Sequence, residues 1–279
     1  METGSESARP IMCHAYREGR VEVAEREVIG EQPLRLIVNG EAAATLMRTP
    51  GAETELAIGF LLTDGIVGSF DEIGAISYCR EGLLGEAGEV IVRLSEGSKP
   101  RRRGYRDIFT SCSLCDDAWI EDFAEGLPRF DKPEGRLRPA DIFSLRNTMV
   151  CAQDAFRRTG GAHAGALAEL PLAQNVGEAV VREDIGRHNA LDKAVGAAAA
   201  RGLRLEHCLL VLSSRLSFEM IAKAARAGVS DLAGVSAPSA LGVELARRLG
   251  MFLAGFVRGE SMMVYSGVEA LRTDQAASQ

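Results

Sequence analysis

The chain has 279 residues, 46% apolar and 25% charged, an ordinary globular mix with room for one large domain or two smaller ones. A net charge of −7, a pI of about 5.3 and only 5% aromatic residues, with Trp119 the single tryptophan, argue against a nucleic-acid-coating role. No apolar run approaches the length of a membrane helix, the start METGSESARP has no secretory core, and six cysteines make no disulfide framework; a cytoplasmic protein is expected.

Val21 to Ile29 alternates apolar and polar residues, and Leu34 to Val38 is short and β-branched at its end. Asn39-Gly40 marks a hairpin turn, because both residues tolerate positive φ, and Ala42 to Met47 returns. TELAIGFLLTDG has helical spacing, with Thr54 as N-cap and Gly65 as stop. IGAISYC and EVIVRL read as two more strands. Strand, strand, helix, strand, strand predicts a small α+β roll over residues 1–97.

Residues 98–118 differ. Lys99, Arg101, Arg102, Arg103 and Arg106 crowd a stretch with little to bury, which reads as a basic mobile linker. It leads into Cys112-Ser113-Leu114-Cys115 and a helix expected from near Cys115 to Gly126. Over 119–279 helix and strand alternate. ADIFSLRNTMVCAQDAFRRTG reads as one amphipathic helix ending at Gly160, and HNALDKAVGAAAARG as a second, stopped by Gly202. CLLVLSS is short enough to be a buried strand. SFEMIAKAARAG, DLAGVS, SALGVELARRLG and MFLAGFV continue the alternation. The pattern predicts an α/β fold with a mostly parallel sheet and helices on both faces.

Cys112 and Cys115 are the sharpest local signal. Two intervening residues let both sulfurs meet one metal, form one disulfide, or leave one thiolate to carry a persulfide. The basic run upstream supplies cations that favour a thiolate, whereas Asp116 and Asp117 oppose it. A structural zinc needs two more ligands, and Cys79, Cys151, Cys208, His163, His188 and His207 are isolated in sequence, so no metal is expected.

Five further clusters fall at expected strand ends. Thr159-Gly160-Gly161-Ala162-His163 brings backbone and an imidazole together, although a helix stop followed by a core histidine explains it equally well. Glu183 to Asn189 packs acids, Arg187, an amide and His188 into a strand-to-helix turn, with Asp184 as a possible cap. Ser213-Ser214-Arg215 and Ser236-Ala237-Pro238-Ser239 precede helices and suit an anion if their strands are neighbours. Gly255-Phe256-Val257-Arg258-Gly259 is either a glycine-flanked cation at a strand end or a hairpin turn. P-loop, dinucleotide-fingerprint and nucleophile-elbow motifs are missing.

Together these segments resemble the FdhD family of formate dehydrogenase accessory sulfurtransferases. ELAIGFLLTDGIV, SCSLC, TGGAHAGAL, EDIGRHNALDKAVG, SSRLSFEMIAKAARAG, VSAPSALGVELA and GFVRGESMMVYS occur in family order from about Leu34 to Ser266. The resemblance implies a cytidine-deaminase-like three-layer α/β domain over 119–279, behind the small roll. It implies a persulfide on Cys112, with Cys115 as helper. The sulfur would come from a cysteine desulfurase. It would pass to the molybdenum (or tungsten) bis-molybdopterin guanine dinucleotide cofactor of formate dehydrogenase. Phe256, Val257, Arg258, Gly259, Glu260 and Ser261 are the implied cofactor-binding stretch. A rim of His163, Asp184, Arg187, His188, Ser214 and Arg215 is expected to take the guanine nucleotide or phosphate portion. A homodimer is also implied. Family loops usually read Cys-Gly-x-Cys-Gly, so Ser113 and Asp116 are departures. The deaminase zinc signature is missing, and deamination is not expected. The alternatives are a non-catalytic cofactor chaperone, a thiol-disulfide oxidoreductase and, third, a nucleotide-acting hydrolase.

Overall fold

The structure, a computed structural model, describes residues 7–80, 88–101, 126–172 and 178–272. Cys112, Cys115, Trp119, the linker beyond Arg101 and the helix expected after Cys115 lie outside the described residues.

The first strands are β1 (Ala8–Arg17) and β2 (Arg20–Ile29), an antiparallel pair that forms its own two-stranded sheet. β1 is not foreseen from the sequence, because Arg9, His14 and Arg17 interrupt any apolar period. The alternation in β2 marks a strand, but not a half-buried one: Val21 and Val23 are 64% and 67% exposed. Tyr16 faces Val21 and His14 faces Val23, so Met12, Tyr16, Val21 and Val23 share one open face.

β3 (Gln32–Val38) and β4 (Glu41–Arg48) form the expected hairpin, with Asn39 and Gly40 both at positive φ, 51° and 86°. β5 (Ile73–Cys79) and β6 (Gly88–Leu94) complete a four-stranded sheet in the order β4-β3-β6-β5, where β3 and β6 are parallel. On it lies α1 (Glu53–Thr63), buried without a break from Leu56 to Thr63. Thr54 does not cap this helix; the N-cap is Ala52, in a left-handed conformation, and Thr54 sits inside the first turn. The Gly51 N–H donates to Glu53 Oε1 at 2.7 Å instead.

The expected single helix over 140–160 is two, α2 (Pro139–Ala152) and α3 (Asp154–Thr159), broken at Gln153. The cause is distant in sequence. The Glu183 carboxylate accepts from the Ala155 and Phe156 N–H groups at 2.8 and 2.9 Å and so starts a new helix there. Gly160 ends α3 at positive φ, as expected.

The larger sheet contains β7 (His163–Glu169), β8 (Val180–Asp184), β9 (Cys208–Leu212), β10 (Asp231–Gly234), β11 (Phe252–Arg258) and β12 (Ser261–Ser266). Its order is β12-β11-β10-β9-β7-β8. This is a correction to the mostly parallel expectation. Only β9–β10 and β10–β11 pair in parallel, whereas β7–β8, β7–β9 and β11–β12 are antiparallel. Parallel pairing appears where a helix makes the crossover: α5 (Phe218–Arg226) before β10, and α6 (Ala240–Leu249) before β11. The tight turn at Gly259-Glu260 returns the chain antiparallel.

Alternating residues divide the sheet's two faces. Ala164, Ala166, Val211, Ala233 and Phe252 pack with Leu145 and Met149 of α2. Leu167, Leu210, Leu212, Leu232 and Leu253 pack on the other side with α4 (Arg187–Ala200), α5 and α6. That second core continues through α1 into the four-stranded sheet. Two glycines let α1 and α4 meet this closely. A Cβ on Gly59 would lie 1.7 Å from the Asp192 carbonyl oxygen, and one on Gly196 1.8 Å from that of Glu55.

Candidate functional site

The clusters singled out in the sequence converge on one edge of the larger sheet. β9, β10 and β11 end there, and β7, antiparallel to β9, begins there with His163. β8 also ends there and leads into α4, because Asp184 pairs with His163. The turns are stitched to one another. Ala164 N–H donates to Ser213 Oγ at 2.8 Å, Leu216 N–H to the Ala237 carbonyl at 3.0 Å, and Phe256 N–H to the Ser236 carbonyl at 3.2 Å. The neighbour relation that an anion-binding rim requires is therefore met. The N-termini of α4, α5 and α6 all open onto this edge, and Ser239 caps α6 by accepting from Gly242 N–H.

The edge is electropositive. Burial pushes the His163 imidazole below its ordinary pKa, and the charges of Arg187, Arg215 and His188 push it further down, against Asp184. The Arg187 Nε is buried and has no partner, and neither has the buried Ser217 Oγ at the start of α5. Buried polar groups are normally paired. These two lie at the starts of α4 and α5, beside exposed Arg215, as donors without an acceptor among the described residues. Phosphate oxygens fit that donor set.

Not every predicted residue is open at the sheet edge. Asp184 is fully buried. Its Oδ1 accepts from Gly186 N–H at 2.9 Å and Asn189 Nδ2 at 3.0 Å; its Oδ2 accepts from Thr49 N–H at 3.1 Å and pairs with Lys193 Nζ at 2.7 Å. Ser214 is buried too, with Oγ donating to the Arg215 carbonyl, and Ser213 is committed to β7. Asp184 and Ser214 therefore shape the rim without lining it. In the Phe256–Ser261 stretch Val257 is buried, while Phe256, Arg258, Gly259, Glu260 and Ser261 are exposed on the β11–β12 hairpin. Phe256 adopts positive φ, 53°, and Arg258 lies over its ring at 5.9 Å.

Helical spacing splits EDIGRHNALDK into two jobs. Arg187 and His188, in the first turn, reach the rim. Asn189, Asp192 and Lys193 point the other way, into the joint with β4 and α1. Asn189 Nδ2 donates to the Met47 carbonyl at 2.7 Å, Lys193 Nζ to that of Thr49 at 2.8 Å, and Thr63 Oγ1 to Asp192 Oδ1 at 2.6 Å. Ile185 N–H donates to Thr49 Oγ1 at 3.0 Å. Thr49 was not singled out in the sequence, and neither was Glu219, whose carboxylate lies 2.9 Å from His188 Nε2. An acid in the first helical turn after Ser213-Ser214-Arg215 was the available signal for Glu219.

Cys112 and Cys115, the expected persulfide carriers, are outside the described residues. Cys208 is buried, and its thiol is pushed up to about 12, chiefly by burial, so it stays an inert thiol. No cluster of metal-ligating side chains and no helix long and apolar enough to cross a membrane occurs among the described residues. A cleft of about 320 Å³ lined by Arg247, Tyr265, Gly267 and Glu269 opens at the opposite end of β11 and β12, away from every predicted residue.

The fold is α/β, with the polar and basic side chains of four chain segments gathered at one sheet edge. The family model for the FdhD/NarQ family matches residues 29–272, and the chain belongs to that family. A sulfur carrier protein FdhD from Streptomyces avermitilis is 41% identical over 274 residues, covering 94% of this chain and 95% of that one. Another, from Anaeromyxobacter dehalogenans, is 39% identical over 256 residues, covering 86% and 87%. A solved structure from Desulfotalea psychrophila, described as a formate dehydrogenase accessory protein, shares the fold with a TM-score of 0.74. Its identity is 24%, over 95% of this chain and 99% of that one.

Proposed function

We propose that this chain is a sulfur carrier serving formate dehydrogenase, in which Cys112 accepts the outer sulfur of a cysteine desulfurase persulfide. The Cys112 thiolate attacks that sulfur, a new S–S bond forms, and the desulfurase thiolate leaves. The acceptor is molybdenum (or tungsten) bis-molybdopterin guanine dinucleotide, bound as substrate, with Cys115 as helper or second carrier. The observation that carries the substrate assignment is the cationic sheet edge, where Arg187 Nε and Ser217 Oγ are buried without partners. His163, Arg187, His188 and Arg215 hold the guanine nucleotide's phosphates there, and the exposed Phe256–Ser261 hairpin covers them from the far side. Holding the acceptor beside the persulfide makes the second transfer effectively intramolecular.

The same proposal assigns sulfur delivery to segment 98–118, between a small roll over 1–97 and a cytidine-deaminase-like unit over 119–279. It places the protein in the cytoplasm as a homodimer, without nucleic acid or membrane. The open apolar face of Met12, Tyr16, Val21 and Val23 is the surface we assign to the second copy.

The test is peptide mass spectrometry after incubation with a cysteine desulfurase and cysteine, without reductant. The expected result is a reductant-sensitive gain of one sulfur on the Cys112 peptide, lost in Cys112→Ala. An unmodified Cys112, with the desulfurase active on another acceptor, would leave a cofactor chaperone as the function.

A further inference from the structure

Behind the rim, α4 and α5 are joined by two side-chain rungs. His188 Nε2 lies 2.9 Å from Glu219 Oε2. Four residues along each helix, Asp192 Oδ2 lies 3.0 Å from Lys223 Nζ. The acid stands on α5 in the outer rung and on α4 in the inner one, so each helix carries one acid and one nitrogen base four residues apart. The inner rung is buried, and Thr63 completes the hydrogen bonding of Asp192. The outer rung opens onto the rim, with the His188 and Glu219 side chains 30% and 40% exposed.

Glu219 is out of place in an anion site. Its charge opposes the field of Arg187 and Arg215, and simple Coulomb reasoning says that removing it tightens anion binding. The groups around His188 are Arg187, His163 and Arg215 on the rim side, with Asp184 beside His163, Glu219 across from it, and Asp192 and Lys223 behind. Asp184 is committed to Lys193 and Asp192 to the inner rung, which leaves Glu219 as the acid facing the His188 ring. His188 Nε2 is buried, and the Glu219 carboxylate, 2.9 Å away, is the group it faces across the helices.

We propose that Glu219 is a positioning residue for nucleotide binding: it fixes the His188 imidazole through Nε2 and leaves Nδ1 as the ring nitrogen offered to the phosphate-bearing ligand. The inference rests on the rim's taking a guanine nucleotide. The inner Asp192–Lys223 rung keeps α4 and α5 together, so the outer rung is free to serve the ligand.

GDP is the probe. Its affinity is measured by calorimetry on the full chain, on Glu219→Ala and on Glu219→Gln, with imidazole NMR signals recorded for each. Expected are a loss of at least about tenfold for Glu219→Ala, near-native affinity for Glu219→Gln, which keeps an oxygen in place, and a displaced His188 signal in the alanine variant only. Unchanged or tighter binding by Glu219→Ala, with wild-type binding intact, overturns the positioning role alone. A wild-type chain that binds no GDP overturns the rim assignment beneath it.

Discussion

Asp184 and Lys193 form an ion pair of 2.7 Å with side chains 0% and 2% exposed, at the point where the larger sheet meets the turn after β4. Neither charge reaches solvent. Thr49 supplies an N–H to one partner and a carbonyl to the other, so the pair binds β4 and α1 to β8 and α4.

Removing one partner strands the other. Asp184→Ala is expected to cost about 3–5 kcal/mol, because Lys193 is left charged, buried and uncompensated. The double variant Asp184→Ala/Lys193→Met should recover part of that loss. Thermal or urea unfolding reads both, and a single variant as stable as wild type would remove the pair from the joint.

Gly196→Ala tests the close contact of α1 and α4. Helix propensity alone favours alanine by about 1 kcal/mol. The added Cβ would lie 1.8 Å from the Glu55 carbonyl oxygen, so the helices must part. A net loss of about 1–3 kcal/mol is expected, and a net gain would show that the helices are not packed this tightly.

The His163 imidazole is held below its ordinary 6.5 by burial first and then by Arg187, Arg215 and His188. With its folded pKa depressed, the unfolded chain binds more protons in the window just below 6.5, so stability falls as pH drops through that window. His163→Gln should flatten that slope in a series of melting curves. Glu219 is also depressed, by the His188 imidazole beside it, but from 4.5, so its stability contribution is lost at lower pH and the two effects separate.

The exposed ribbon face predicts a charge-sensitive association. Val23 is 67% exposed in the single chain, so Val23→Glu should leave the melting temperature of the monomer within about 0.5 kcal/mol of equivalent stability. In size-exclusion chromatography with light scattering, the wild type is expected as a dimer and the variant as a monomer. A variant that stays dimeric moves the contact elsewhere.

Periodicity and turn chemistry made most elements legible. The Asn39-Gly40 hairpin, the buried strand at Leu209 to Leu212 and the helix stopped by Gly202 each depend on short-range preferences written into neighbouring residues. The break at Gln153 was not legible, because Glu183, far along the chain, causes it. Nor was strand direction, since β7 and β8 look in sequence like any other buried strands.

The rim divides in the same way. Arg187, His188 and Arg215 could be named from their places at strand ends, where local geometry dictates exposure. That Asp184 is spent on Lys193 and Thr49, and that Glu219 stands beside His188, required the packing of elements far apart in sequence. By itself the sequence determined the family, the elements and the polar residues available at the sheet edge. Only the tertiary structure decided which of them stay open at that edge, because a charged side chain near a strand end either meets solvent or is consumed by a buried partner, and that partner comes from another part of the chain.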